Sequence, residues 1–268
     1  MLLLTTGVAS GIECGDVITA DAVLTADVGP CPGDSDPVLT LVGPATLNLN
    51  GYTVRGLPGA QTAVGILIQG ERARLRNGFV ESCESAAVVV AGAGGHRIEN
   101  VIARNNTNDG FQVQSSRNHL VRNVTMNSHD DGFAVSGSGN LLLGNAAFDD
   151  ALGFSLTGER NALIRNAATR CQEVGIGASG SRHRIVDNRV VGSGLDGIAV
   201  SGSAHFVSAN QSIANDQAGI DVRATATRVF GNVALGNDGP DLTDANPSCG
   251  DDLWRGNVFS TSDPACIR

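Results

Sequence analysis

Short apolar runs of about three to five residues recur along the chain, separated by clusters of Gly, Asn, Ser and Asp. In Gly132-Phe133-Ala134-Val135-Ser136, Asn140-Leu141-Leu142-Leu143-Gly144 and Asn145-Ala146-Ala147-Phe148 the pattern is that of short strands, with no amphipathic helical stripe between them. A Gly followed by an apolar residue opens each period, at Gly65-Ile66, Gly110-Phe111, Gly132-Phe133, Gly153-Phe154, Gly175-Ile176, Gly197-Ile198 and Gly219-Ile220. The coil that starts near Ala87-Val88 lacks only the glycine. A second marker, an Asn closing a short strand, falls at Asn77, Asn100, Asn123, Asn145, Asn166, Asn188, Asn210 and Asn232, spaced 21 to 23 residues apart.

Three strands in every repeat of about 22 residues predict an all-β solenoid, a right-handed single-stranded parallel β-helix. Eight coils fit residues 65–239, and the stretch 36–64 adds one or two more. Asn suits the sharp corners, because it tolerates left-handed backbone and its stacked amides can bond to the coils above and below. The open strand edges at either end need covers. We read residues 1–35 as an N-terminal cap, 36–239 as the helix, and 240–268, with Pro240 and the only tryptophan, Trp254, as a C-terminal cap. Residues 1–11 read equally well as a signal remnant, small residues standing near a cleavage point but without a basic leader.

Composition agrees with tightly wound coils: 35 glycines and only 4% aromatics. The formal charge is −9 and every cationic residue is arginine. That balance argues against nucleic acid and anionic membranes, and no apolar run is long enough to span a bilayer. Polysaccharide is the expected partner, and a monomer the expected state. Among six cysteines, Cys14 with Cys31 and Cys249 with Cys266 bracket the two ends and should form disulfides. Cys83 and Cys171 lie about four coils apart, roughly 19 Å at strand spacing, and should be free thiols. Two terminal disulfides point to secretion or to a periplasmic or extracellular location.

With the Gly-apolar start and the Asn column, residues 40–240 resemble the pectin-lyase-like superfamily of parallel β-helix proteins. The resemblance implies a substrate groove along one sheet, and most known enzymes of this kind act on acidic polysaccharides. The richest column of reactive groups precedes the Gly of each coil: Asp109, then His129, Asp130 and Asp131, then Asp149 and Asp150, then Arg170 and Glu173. Asp109, His129, Asp130, Asp131 and Asp150 are the candidate catalytic groups, since crowded carboxylates raise one another's pKa and can keep a general acid protonated. Asn106-Thr107-Asn108-Asp109 followed one coil later by Asp130-Asp131 is similar to the arrangement in polygalacturonases, which implies inverting hydrolysis. This chain departs from that pattern: the next coil reads Leu152-Gly153-Phe154 where those enzymes carry Gly-His-Gly, and it has no lysine.

Elimination or epimerisation would instead need a base, for which His129 is the natural choice, and a cation to neutralise a uronate carboxylate. Arg104, Arg122 and Arg170 are candidates for that cation. So is Ca2+, the one cofactor the residues suggest, held by Asp130 and Asp149 together with Asp131 and Asp150. The tyrosine of related epimerases has no counterpart, because Tyr52 lies far from the column. Substrate-binding candidates are Arg104, Gln112, Gln114, Arg170 and Glu173. His183 and His205, one coil apart, could pair on a transition metal. Asp221 and Arg223 stand out on a first strand face otherwise made of small polar residues. Three readings follow: a secreted enzyme acting on polysaccharide as lyase, epimerase or hydrolase; a non-catalytic carbohydrate-binding or structural β-helix; and a hydrolase of small esters or phosphates on the same carboxylates.

Overall fold

The computed structural model describes residues 11–31, 37–57, 59 and 64–267, so the signal-remnant reading of 1–11 lies, apart from Gly11, outside the described residues. The chain winds as a parallel β-helix with three strands per coil. The front sheet stacks twelve strands, from Asp16–Ile18 through Phe111–Val113, Phe133–Val135 and Phe154–Leu156 to Ser262–Asp263. The second and third sheets merge where Arg74–Glu81 and Arg97–Arg104 run unbroken round the corner between them. The described residues of both segments read as caps carry further strands of the helix. At the start, Asp16–Ile18 pairs with Leu39–Val42, and Val28 bridges Val54. At the end, Leu253–Arg255 pairs with Arg228–Phe230 and Ser262–Asp263 with Leu242–Asp244. Trp254 ends the core, its Nε1–H donating to Asp244 Oδ2 at 2.8 Å. The expected disulfides are formed, with Cα separations of 5.7 Å for Cys14–Cys31 and 6.0 Å for Cys249–Cys266. Cys83 and Cys171 are free and buried, and burial pushes both thiols up to about 12, which leaves them inert.

Inside, identical positions stack because each coil meets the next in register. Phe111, Phe133 and Phe154 overlie one another with ring centroids 5.0 and 4.8 Å apart. The Asn ladder exists as anticipated: Asn123, Asn145, Asn166, Asn188 and Asn210 each accept the backbone N–H of the coil before, as in Asn145 N to Asn166 Oδ1 at 2.8 Å. The left-handed residue is the one in front of the ladder, however. Arg122, Arg165, Asp187 and Ala209 have φ between 55° and 58°, and only Asn77 and Asn100 place the asparagine itself there.

A parallel ladder at the next corner runs through His96, Asn118, Asn140, Asn161, His183 and His205. Each imidazole does the work of an amide. Nδ1 accepts a backbone N–H of the preceding coil, and Nε2 bonds the carbonyl of Ala91, Ser179 or Ser201. Burial lowers the pKa of all three rings, which stay neutral. A metal pair at His183 and His205 is therefore overturned: both nitrogens of each ring are spent on backbone.

The recurring glycine has a cause that turn chemistry does not supply. None of Gly65, Gly132, Gly153, Gly175, Gly197 and Gly219 has positive φ. A Cβ at each would meet the corner side chain 18 residues downstream: Cys83, Asp150, Cys171, Ser193, Asn215 and Asn237 respectively. Gly197→Ala is expected to cost about 2 kcal/mol in denaturant titrations, as overpacking does, because its Cβ would collide with Ser212 Oγ and lie 2.5 Å from Asn215 Nδ2. Gly177→Ala is the control, having only ordinary contacts at 3.8 Å and beyond. Equal stability of the two variants would contradict the steric explanation.

Candidate functional site

The corner between the third and front sheets brings one residue from each coil to the place just before the front strand. Hydrogen bonds from Gly110 N to Asp131 O, Gly132 N to Leu152 O, Gly153 N to Val174 O and Gly175 N to Asp196 O define the column as Asp109, Asp131, Leu152, Val174 and Asp196. Asp109 and Asp131 are thus true neighbours, one coil apart. With Asp130 they form a cluster whose carboxylate oxygens converge within 4.8 Å.

The three differ in environment. Asp109 is buried; its Oδ1 accepts the Asp131 N–H and its Oδ2 the Gln112 Nε2–H, both at 3.1 Å. Gln114 in turn donates to Gln112 at 2.9 Å. Asp131 is half-buried and Asp130 exposed. Burial first, and then the charge of Asp130, raises Asp109 to about 6. Burial, followed by the charges of Asp109 and Asp130, raises Asp131 to about 7, with the Ser155 hydroxyl pulling the other way and Glu173 adding a smaller push. Asp131 therefore keeps its proton to a higher pH than an ordinary carboxyl, with the exposed Asp130 beside it.

Ser155 also starts a groove of about 370 Å3 along the front sheet. Its floor is Ser155, Gly177 and Ala199, which are consecutive neighbours in register. Val174, Leu195 and Gln217 wall one side, and Asp196 and Arg223 stand farther along. Arg223 Nε holds Asp221 at 2.6 Å and its Nη2 reaches Asp196 at 3.8 Å.

One candidate stands elsewhere than the sequence suggested, and three others are engaged in ion pairs. Asp150 does not follow Asp131 in the column. It points into the coil, fully buried, accepting the Thr125 hydroxyl at 2.6 Å and the Ser128 N–H at 2.7 Å. Asp149 is held by Arg170 in an exposed fork with bonds of 2.8 and 2.7 Å, a pair that a calcium ion or a uronate would have to displace. Arg104 is bound to Glu81, which it shares with Arg55. Burial alone would raise the Glu81 carboxyl, but those two guanidinium groups outweigh it and hold it below the usual range. His129 is exposed beside Asp130, and its ring has no hydrogen-bond or ionic partner among the described residues. Ser155 is a participant that no motif in the sequence singles out; it pairs with Ala134 one coil back, and its hydroxyl bonds the Asp131 carboxyl.

As a donor set for a hard cation, Asp109, Asp130 and Asp131 have suitable chemistry. Asp109 Oδ1 and Oδ2 each accept one hydrogen bond, which leaves each a lone pair, so all three carboxylates could face one ion.

A family model described as a right handed beta helix region matches residues 64–212, more than half of the chain. No curated protein matches in sequence. Among solved structures, the catalytic unit of a thermostable GH87 alpha-1,3-glucanase from Streptomyces thermodiastaticus aligns over 95% of this chain and 64% of its own, at 13% identity and a TM-score of 0.56. A rhamnogalacturonan lyase aligns over 94% and 81%, at 13% identity and 0.50. Tailspike protein 3 of bacteriophage CBA120 aligns over 93% and 55%, at 10% identity and 0.51. At such identities the likeness is one of fold.

Proposed function

The chain belongs to the right-handed β-helix family, and from that premise we propose that it hydrolyses a polysaccharide lying along the front-sheet groove, at Asp109, Asp130 and Asp131. The observation that carries this reading is the convergence of half-buried Asp131 with buried Asp109 and exposed Asp130, beside Ser155, the residue from which the groove runs along the front sheet. Asp131 gives its proton to the glycosidic oxygen as the bond from the anomeric carbon to that oxygen breaks. Asp130, whose carboxylate oxygens lie within 4.8 Å of those of Asp131, too close to hold a water between them, attacks the same carbon as nucleophile; water then displaces Asp130 from that carbon as Asp131 takes the water's proton. Asp109 positions: its charge and its bond to the Asp131 backbone keep Asp131 protonated and oriented.

Elimination and epimerisation are disfavoured because both need a cation for the uronate carboxylate. Arg104 and Arg170 are paired with Glu81 and Asp149, and Arg122, between His119–Val121 and Val124–Met126, lies at the corner of the second and third sheets, away from the carboxylates. A cluster of carboxylates at the cleavage point favours a neutral stretch of sugar over the acidic one the family resemblance implies. The disulfides fit export to an oxidising compartment, which belongs to the same proposal.

The test incubates purified protein with neutral glucans, α-1,3-linked among them, and with uronans, following reducing ends and unsaturated-product absorbance together. Reducing ends without absorbance, unchanged by a chelator, are expected. Absorbance would replace the proposal with a lyase, and silence in both channels with retained binding would replace it with a binding protein.

A further inference from the structure

We infer that the chain carries a second site, an oxyanion pocket on the corner between the front and second sheets, formed by Arg72, Arg74 and Arg117 with His119. The cavity there measures about 220 Å3. It lies on a different corner from the carboxylate cluster and uses none of its residues.

Its construction follows from the coil stacking. Backbone bonds from Arg72 N to Gly94 O, Gly95 N to Ser116 O and Arg117 N to Ser138 O put Arg72, Gly95 and Arg117 in one column. All three have φ between 54° and 71°. Gly95 has no side chain, so the two arginines, two coils or roughly 10 Å apart, face each other across a gap. A Cβ at Gly95 would touch the Arg72 stem, 3.6 Å from its Cγ. Arg74, Arg97 and His119, consecutive in register on the second sheet, line the adjacent side.

What singles the pocket out is that three of its four arginines make no ion pair among the described residues. Arg97 is paired with Glu99 at 2.7 Å. Arg72, Arg74 and Arg117 have no ion pair among the described residues, in a chain of net charge −9. Farther along the same column Arg160 and Arg182 share Glu159, each at 3.8 Å. Glu71 precedes Arg72 as Glu159 precedes Arg160, but among the described residues only Glu159 comes within ion-pair distance of its arginines. Three guanidinium forks around a small cavity match the planar, bidentate bonding of sulfate, phosphate or carboxylate oxygens. The shared chemistry is an oxyanion, either a free inorganic anion or an acidic group on a glycan.

The test titrates the full chain calorimetrically with inorganic phosphate, with a sulfated polysaccharide and with a neutral glucan, for wild type and for Arg74→Gln/Arg117→Gln. Both side chains are exposed, so the variant keeps its fold. Binding of phosphate or of the sulfated polymer should weaken by about tenfold for each arginine removed, and should weaken with added salt. Arg160→Gln/Arg182→Gln should bind as wild type does. Phosphate binding lost in the first variant supports the pocket with a free anion as ligand. Binding of the sulfated polymer alone, lost in the same variant, supports it with the group carried on a chain. No anion binding, or binding unaltered by Arg74→Gln/Arg117→Gln, overturns it.

Discussion

Asp131→Asn should lower kcat/KM for the cleaved polysaccharide by about 10²- to 10⁴-fold, the usual contribution of a positioned general acid, while the protein stays folded. Stability should survive because the native Asp131 carboxyl is held up to about 7, so its charged form is disfavoured in the folded state. In the wild-type enzyme the rate should fall on the alkaline side near pH 7, as Asp131 loses its proton. Asp109→Asn separates the roles. It removes a charge that, after burial, is the largest push on Asp131, so the alkaline limb should move to lower pH, with turnover kept at the acid end. Steady-state profiles of both variants decide the matter. A fully active Asp131→Asn enzyme, or an unmoved limb in Asp109→Asn, would remove the acid–base assignment.

The second large effect is on stability and concerns Asp150. Its carboxyl is raised from 3.8 to about 6, by burial first, with the bonds from Thr125 and Ser128 opposing. A folded-state pKa above the unfolded one means that the group's stabilisation is complete below about pH 4 and lost as pH rises through about 6. A shift of that size corresponds to about 3 kcal/mol by pH 8. Asn215 and Asn237 fill the same corner position in later coils, where their amides serve the backbone without a charge. Asp150→Asn should therefore stabilise the protein by about 3 kcal/mol at pH 8 and leave it nearly unchanged at pH 4, in denaturant titrations against wild type. The buried histidines act in the opposite direction. With their pKa values lowered, they contribute stability above the unfolded histidine value that is lost on acidification. They are common to both proteins and drop out of the difference. The same gain at both pH values would show that the Asp150 charge costs nothing.

The two errors at the candidate site have different origins. Asp150 was misplaced by counting residues back from the next glycine. That count assumes a coil of constant length, yet Gly132 to Gly153 is one residue shorter than its neighbours. Counting 18 residues forward from Gly132 lands on Asp150 and identifies it with Cys83, Cys171, Ser193, Asn215 and Asn237, all of which point inward. That signal was available in the sequence. Arg104 and Arg170 are another matter, since their pairing depends on Glu81 one coil back and Asp149 one coil back. No local pattern distinguishes them from arginines such as Arg74, which has no such partner.

The sequence by itself determined the architecture: the period of about 22, three strands per coil, the terminal disulfides, the Asn ladder and the adjacency of Asp109 and Asp131. Periodicity makes these legible, because each coil meets the same neighbour and so selects the same residue at the same place. Only the tertiary structure decided which turn residues face solvent and which face the core, and which charges are already paired. A one-residue change in coil length reverses a side chain's direction at a corner, and ion pairs form between side chains a full coil apart, so neither is written in any one segment.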